Sequence, residues 1–173
     1  DGARLFIASA HTGISPSEYS EQFDSVYTSL YKCFNAASGA ILAGSRKFID
    51  NLFNMRRMFG GGLVQVWPFA AVALHYVDTF IEEYSKAQKN AERFFRLIQE
   101  NSSFKVEKIP NGTIVFKLHV SGTDLHVFRE KLKKKNIHVP PPQQDWNGFI
   151  MKTNVTLNRT SADSLAKEFI AAL

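Results

Sequence analysis

Hydrophobic and polar positions change their period several times along this chain, and each change marks an element. From Asp24 to Cys33 the run DSVYTSLYKC alternates with a period of two. Val26, Thr28, Leu30 and Lys32 fall to one side, while Tyr27, Ser29 and Tyr31 fall to the other. Both sides are apolar or small, which predicts a strand covered on both faces inside an α/β sheet. A second, small-residue strand is predicted at residues 39–43. Upstream, DGARLFIASAHTGISPSEY reads as a polar turn, an apolar stretch and a loop, with Ser15-Pro16 favouring a turn or helix start.

Helical spacing then takes over. Ser45 caps a helix, RKFIDNLFNMRRMF, in which Phe48, Ile49, Leu52, Phe53 and Met55 share a face. Gly60, Gly61 and Gly62 end it. Pro68 opens a helical pattern that runs to about Glu100, with a stripe through Ala73, Tyr76, Val77, Phe80 and Tyr84 continued by Ala91, Phe94 and Ile98. A helix of that length would link two domains. After it, FKVEKI and TIVFKLHV flank Pro110-Asn111-Gly112, a hairpin signal. Thr123 is the expected cap of a helix through Lys135. FIMKTNVT alternates like a half-exposed strand, and Thr160 with Asp163 forms a capping box for the last helix. The predicted fold class is α/β: residues 1–67 as the remainder of a larger domain with a mostly parallel sheet, residues 68–100 as a long connecting helix, and residues 101–173 as a small α+β domain.

Composition narrows the function classes. Hydrophobic residues make up 45% of 173 residues, enough for a sizeable core. The net charge of +5 is scattered, and no aromatic-basic interleaving marks a nucleic-acid face. A single cysteine leaves no intrachain disulfide and points to a reducing, cytoplasmic compartment. No apolar run is long enough for a membrane span. The five histidines are dispersed without metal-ligand spacing, so no metal is expected. The chain opens on Asp1 with neither methionine nor leader, which reads as a cut start.

The chemistry gathers at a few positions. The glycines at 60–62 carry no Gly-Lys-Ser/Thr, so they are not a phosphate loop of that kind. They read either as a helix terminator or as a loop approaching a ligand or a neighbouring subunit. Cys33 has no local histidine and reads as a small buried hydrophobe. Lys32 ends the interior strand, where a charge is costly unless paired or neutral. It is either a snorkelling or ion-paired residue at the sheet rim or an imine-forming amine at the carboxyl end of a strand, where open α/β sheets bind ligands. Asp1-Gly2-Ala3-Arg4 would complement such an imine. A carboxylate can hold a pyridinium nitrogen protonated, a small residue can lie against a ring, and a guanidinium can clasp a substrate carboxylate.

DGAR, a strand ending in lysine, a small-residue strand ending in Gly-Ser, and RR-x-x-GGG-x-x-Q together resemble the threonine aldolase and aromatic amino acid β-eliminating lyase family. The likeness runs through residues 1 to about 85. That resemblance implies fold type I, an aspartate-aminotransferase-like architecture, with pyridoxal 5′-phosphate (PLP) as cofactor. It implies a PLP-dependent aldolase that cleaves a β-hydroxy-α-amino acid to glycine and an aldehyde. By position, Lys32 resembles the Schiff-base lysine, Asp1 the partner of the pyridine nitrogen, Ala3 a cofactor contact and Arg4 the ligand of the substrate carboxylate. Arg57 with Gly60, Gly61 and Gly62 resembles an active-site loop near a subunit interface. The implied partners are an amino acid substrate, a second subunit in a homodimer or homotetramer, and an upstream half of the same protein. Three features depart from the pattern: Val64 stands where arginine is frequent, Tyr31-Lys32-Cys33 replaces Ser-Lys-Gly, and Lys152 is the cation nearest the expected second carboxylate arginine. β-Elimination or transamination would use the same residues, and a non-catalytic dimerising fragment is the alternative from another class.

Overall fold

The computed structural model describes residues 1–62, 64–143 and 145–173. The chain divides into two compact units, Asp1–Glu82 and Glu83–Leu173. The boundary falls inside a helix, not at either end of the linker expected over 68–100.

In the first unit, α1 (Leu5–Thr12) is ended by Gly13 in the left-handed conformation, φ 75°. α2 (Pro16–Ser20) begins with a capping box, in which the Ser15 hydroxyl accepts from the Glu18 N–H and the Glu18 carboxylate accepts from the Ser15 N–H. β1 (Ser25–Ser29) stops three residues short of Lys32, and the chain turns into α3 (Leu30–Cys33). β2 (Ala40–Gly44) pairs with β1 in antiparallel register, Tyr27 opposite Leu42. The expected parallel pairing is therefore corrected for the strands described in this unit. Only ten residues separate Ser29 from Ala40, and a parallel crossover needs a dozen or more.

Ser45 caps α4 (Arg46–Asp50), its hydroxyl accepting from the Phe48 N–H. α4 gives way at Asn51 to α5 (Leu52–Met58). Gly60, at φ 72°, and a bond from the Gly61 N–H to the Arg56 carbonyl at 2.8 Å close α5. The expected single long helix is two helices, α6 (Trp67–Val77) and α7 (Phe80–Gln99), parted by a turn at Asp78 and Thr79. Phe6, Phe34 and Phe80 form a T-shaped aromatic cluster that anchors α1, α3 and the start of α7.

The second unit is built on an antiparallel sheet of β3 (Phe104–Lys108), β4 (Val115–Val120) and the later β5 (Gly148–Lys152), in the order β3-β4-β5. Asn111 takes a left-handed φ of 56° in the β3–β4 turn, as the Pro-Asn-Gly signal requires. α8 (Leu125–Lys133) is capped by Asp124 and not by Thr123; the Asp124 carboxylate accepts from the N–H groups of His126 and Val127. A 3-10 turn at Val155–Arg159 leads to α9 (Ala162–Ala171), capped by Ser161 in place of Thr160. Asp163 is then free to clasp Arg93 through two bonds of 2.7 Å.

The core of this unit lies between the inner sheet face and the helices. Phe104, Phe116, Leu118 and Phe149 meet Phe94 and Ile98 of α7, Phe128 of α8 and Phe169 of α9. Ala87, Ala91, Phe94 and Ile98 are buried at the three- and four-residue spacing that the sequence pattern predicts.

Candidate active site

The segment that carries Asp1 and Arg4 is docked on β1 and α3. Gly2 N–H donates to the Tyr27 carbonyl at 2.7 Å. A Cβ on Gly2 would stand 2.6 Å from that carbonyl oxygen, so only glycine allows the approach. Thirty residues away in sequence, the Cys33 thiol donates to the Ala3 carbonyl at 3.7 Å. These two contacts bring Asp1-Gly2-Ala3-Arg4 beside Tyr31-Lys32-Cys33.

Asp1 Oδ1 accepts from the Ala3 N–H at 2.9 Å, which fixes the carboxylate over its own turn. Arg4 takes the N-cap position of α1, with its side chain exposed. Lys32 is exposed on α3, and its Nζ lies 5.6 Å from the Tyr31 ring centroid. A fully interior ammonium at the strand end is thus corrected: β1 ends early and the α3 turn lifts Lys32 to the rim. Among the described residues neither Arg4 nor Lys32 has a side-chain hydrogen bond or an ion pair. Both are available to an anion or a carbonyl; Lys32 has no ion-pair partner there, and its exposed place at the rim suits a snorkelling lysine as well as an imine-forming one.

Cys33 reports on both. Burial pushes its thiol pKa up, while the Lys32 ammonium and the Arg4 guanidinium pull it down. The thiol is half-buried, raised in pKa and tied to a backbone carbonyl, which suits a positioning contact better than a nucleophile. The Tyr31 hydroxyl beside Tyr27, followed by burial, pushes the Tyr27 phenol above its ordinary range. The Gly2 approach and the Cys33 tie were not legible as site features. A glycine between Asp and Ala in a polar turn was the only signal for the first, and none marked the second.

Asp1, Gly2 and Arg4 also line a cleft of about 280 Å³ with Leu5, Tyr19, Phe23 and Val26. Lys32 does not line it. Arg57 lies on α5, its guanidinium 5.8 Å from the Phe53 ring centroid, and the glycines follow at the end of that helix. The structure thus ties Ala3 to Cys33, the neighbour of Lys32, leaves Lys32 outside the cleft that Asp1 and Arg4 line, and gives Arg57 and Gly60–Gly62 a helix-terminating geometry of their own. Among the described residues no three His, Cys, Asp or Glu side chains cluster as a metal site, and no helix is long and apolar enough to cross a membrane.

The mixed α/β chain with its small antiparallel α+β unit shares its fold with solved proteins. The chain superposes over its whole length on 51% of a candidate L-allo-threonine aldolase from Listeria monocytogenes, with a TM-score of 0.78 at 22% identity. The same coverage and score hold for a candidate aromatic amino acid beta-eliminating lyase/threonine aldolase from Exiguobacterium, at 20% identity. At that identity the likeness shows the fold. The model of the beta-eliminating lyase family matches residues 1–116, and the chain belongs to that family. The low-specificity L-threonine aldolase of Candida albicans is 35% identical over 116 residues, which are 67% of this chain and 31% of the relative. That of Eremothecium gossypii is 45% identical over 74 residues, 43% of this chain and 19% of the relative. The chain thus spans about a third of the Candida protein and about half of the matched structures.

Proposed function

We propose that this chain is part of a PLP-dependent carbon–carbon lyase of the threonine aldolase type, acting on a β-hydroxy-α-amino acid to give glycine and an aldehyde. The observation that carries this reading is the docking of Asp1-Gly2-Ala3-Arg4 against Tyr27 and Cys33, the latter next to Lys32 in the chain, through the Gly2–Tyr27 and Cys33–Ala3 contacts. The same residues fit the cofactor: a primary amine and a guanidinium without a side-chain hydrogen bond or ion pair among the described residues, a carboxylate with one oxygen spare, and a turn whose glycine admits no Cβ.

Lys32 is the residue that would hold the cofactor aldehyde covalently, and its exposure leaves the amine open to exchange with an incoming amino acid. Asp1 would keep the ring nitrogen protonated, and its bond to the Ala3 N–H prevents the carboxylate from swinging away. Ala3 would lie against the ring. When bound, pyridoxal 5′-phosphate supplies the sink for the electron pair left at the substrate Cα. Arg4 would clasp the substrate carboxylate in a bidentate pair, which fixes the bond at Cα that is held for cleavage. That orientation decides between aldol cleavage, β-elimination and transamination, since all three draw on the same residues.

The first unit is assigned to the cofactor-binding domain and the second to the small C-terminal domain. Met58, Phe59, Val64 and Trp67, at or beyond the end of α5, are 72–89% exposed. These side chains favour a covered position beside the remaining length of a full subunit or a second copy, in a homodimer or homotetramer with Arg57 and Gly60–Gly62 near the interface. The same exposure would suit a dimerising fragment without catalysis, and Lys32→Ala separates the two readings. In a full-length subunit the substitution should lower glycine release from threonine by at least about a thousandfold, as loss of a covalent catalyst does. Unchanged release would overturn the lyase reading.

A further inference from the structure

We infer that Tyr31 is a positioning residue for the Lys32 amine: its ring, moored to Tyr27 of β1, gives the end of a long exposed side chain one defined place. The inference rests on Lys32 as the imine-forming lysine of the proposed function. α3 is a single turn, and it is fixed at both ends. The Leu30 N–H donates to the Gly39 carbonyl at 3.0 Å, which ties its first residue to the residue before β2. The Cys33 thiol donates to the Ala3 carbonyl at 3.7 Å, which ties its last. Between them Tyr31 reaches back to the strand, where the Tyr27 hydroxyl donates to the Tyr31 hydroxyl. Tyr27 is itself held in the β1–β2 ladder, opposite Leu42.

Lys32 Nζ lies 5.6 Å from the Tyr31 ring centroid, within the reach of a cation–ring contact. With no side-chain hydrogen bond or ion pair to Lys32 among the described residues, this ring is what places the amine. A lysine free on its four-carbon stem spreads the amine over a wide volume, and capture of an aldehyde must first collect it. A ring in a fixed place narrows that volume before the aldehyde arrives, which raises the effective concentration of the amine. The ring acts directly. The hydroxyl acts one step removed, by holding the ring on Tyr27. A serine at this position, as in the family pattern, has no ring to offer, so the contact is particular to Tyr31-Lys32-Cys33.

The test measures capture of pyridoxal 5′-phosphate by Lys32 in a full-length subunit, through imine absorbance and through borohydride-trapped label on Lys32 relative to the other lysines. Tyr31→Ser should slow Lys32 capture by about two- to fivefold, the range that an exposed cation–ring contact supports. Tyr31→Phe keeps the ring and should recover most of the parent rate. Tyr27→Phe should match Tyr31→Phe, and the double variant should be no slower than either, because all three lose one hydroxyl pair. Melting temperature is recorded beside each rate, since a merely structural role would move stability and the labelling of every lysine together. Capture in Tyr31→Ser that is unchanged or faster, or a Tyr31→Phe variant as slow as Tyr31→Ser, would overturn the inference while leaving Lys32 as the cofactor lysine. A parent subunit with no label on Lys32 would overturn the lyase reading and this inference with it.

Discussion

The two units use similar numbers of residues in different ways. The second closes a core: Phe128, Phe149, Leu118, Leu132 and Ile98 are fully buried, and few of its large apolar side chains are exposed. The first leaves Ile41, Phe53, Met55, Met58, Phe59 and Leu74 more than half exposed, and all five residues of β2 are exposed. Composition does not separate the units, because both are rich in phenylalanine. What differs is the share of apolar surface for which the described residues supply a partner. The unit carrying Asp1, Arg4 and Lys32 is the one with apolar surface to spare, consistent with a chain that spans about half of the matched structures.

The comparison breaks most clearly by substitution. Phe128→Ala should destabilise the second unit by about 3–5 kcal/mol, the cost of a large aromatic-to-alanine cavity. Phe53→Ala, at an exposed position of the first unit, should change the stability of this chain by no more than about 0.5 kcal/mol. Equal losses in denaturant melts would erase the contrast. Within a full-length subunit, a larger Phe53 effect would show that the face becomes covered.

Gly2→Ala sharpens the picture of the first unit. The added methyl meets the Tyr27 carbonyl, so the Asp1–Arg4 turn must lift from β1, at a cost of about 1–3 kcal/mol. The Cys33–Ala3 contact should loosen with it. A thiol-reactive probe should then label Cys33 faster than in the parent chain, and an unchanged rate would count against the docking.

The smallest effect belongs to the second unit. Arg93 holds the Asp163 carboxyl below its ordinary range, first by hydrogen bonding and then by charge. A lowered folded pKa means that the pair contributes stability above the unfolded pKa and loses it as the pH falls through the folded one. The melting-temperature difference between the parent and Arg93→Ala should be present at neutral pH and shrink as the pH falls below the ordinary range of an aspartate carboxyl. A difference that grows on acidification would reverse the sign.

Sequence periodicity served best where one face meets the core within the same unit. The spacing of α7, the Pro-Asn-Gly hairpin and the alternation of β4 all appear as the pattern requires. It served less well where neighbours decide. β1 and β2 pair antiparallel because their connection is short, a constraint on chain reach that alternation does not carry. The helix over 68–100 breaks at Asp78 and Thr79 although its apolar stripe runs straight through. Caps shifted by a single residue, Asp124 for Thr123 and Ser161 for Thr160, because adjacent polar residues compete for one position. At the candidate site, residue types were readable from DGAR and YKC, but their proximity depends on long-range contacts through Gly2 and Cys33 that no local pattern encodes.

The most direct test of the account is borohydride trapping. The chain alone and a full-length subunit would each be incubated with pyridoxal 5′-phosphate, reduced, digested and mapped by mass spectrometry. The account predicts a phosphopyridoxyl group on Lys32 of the full-length subunit, with labelling there far above that of the other lysines. A folded subunit that carries no label on Lys32, or labels its lysines indiscriminately, would contradict it.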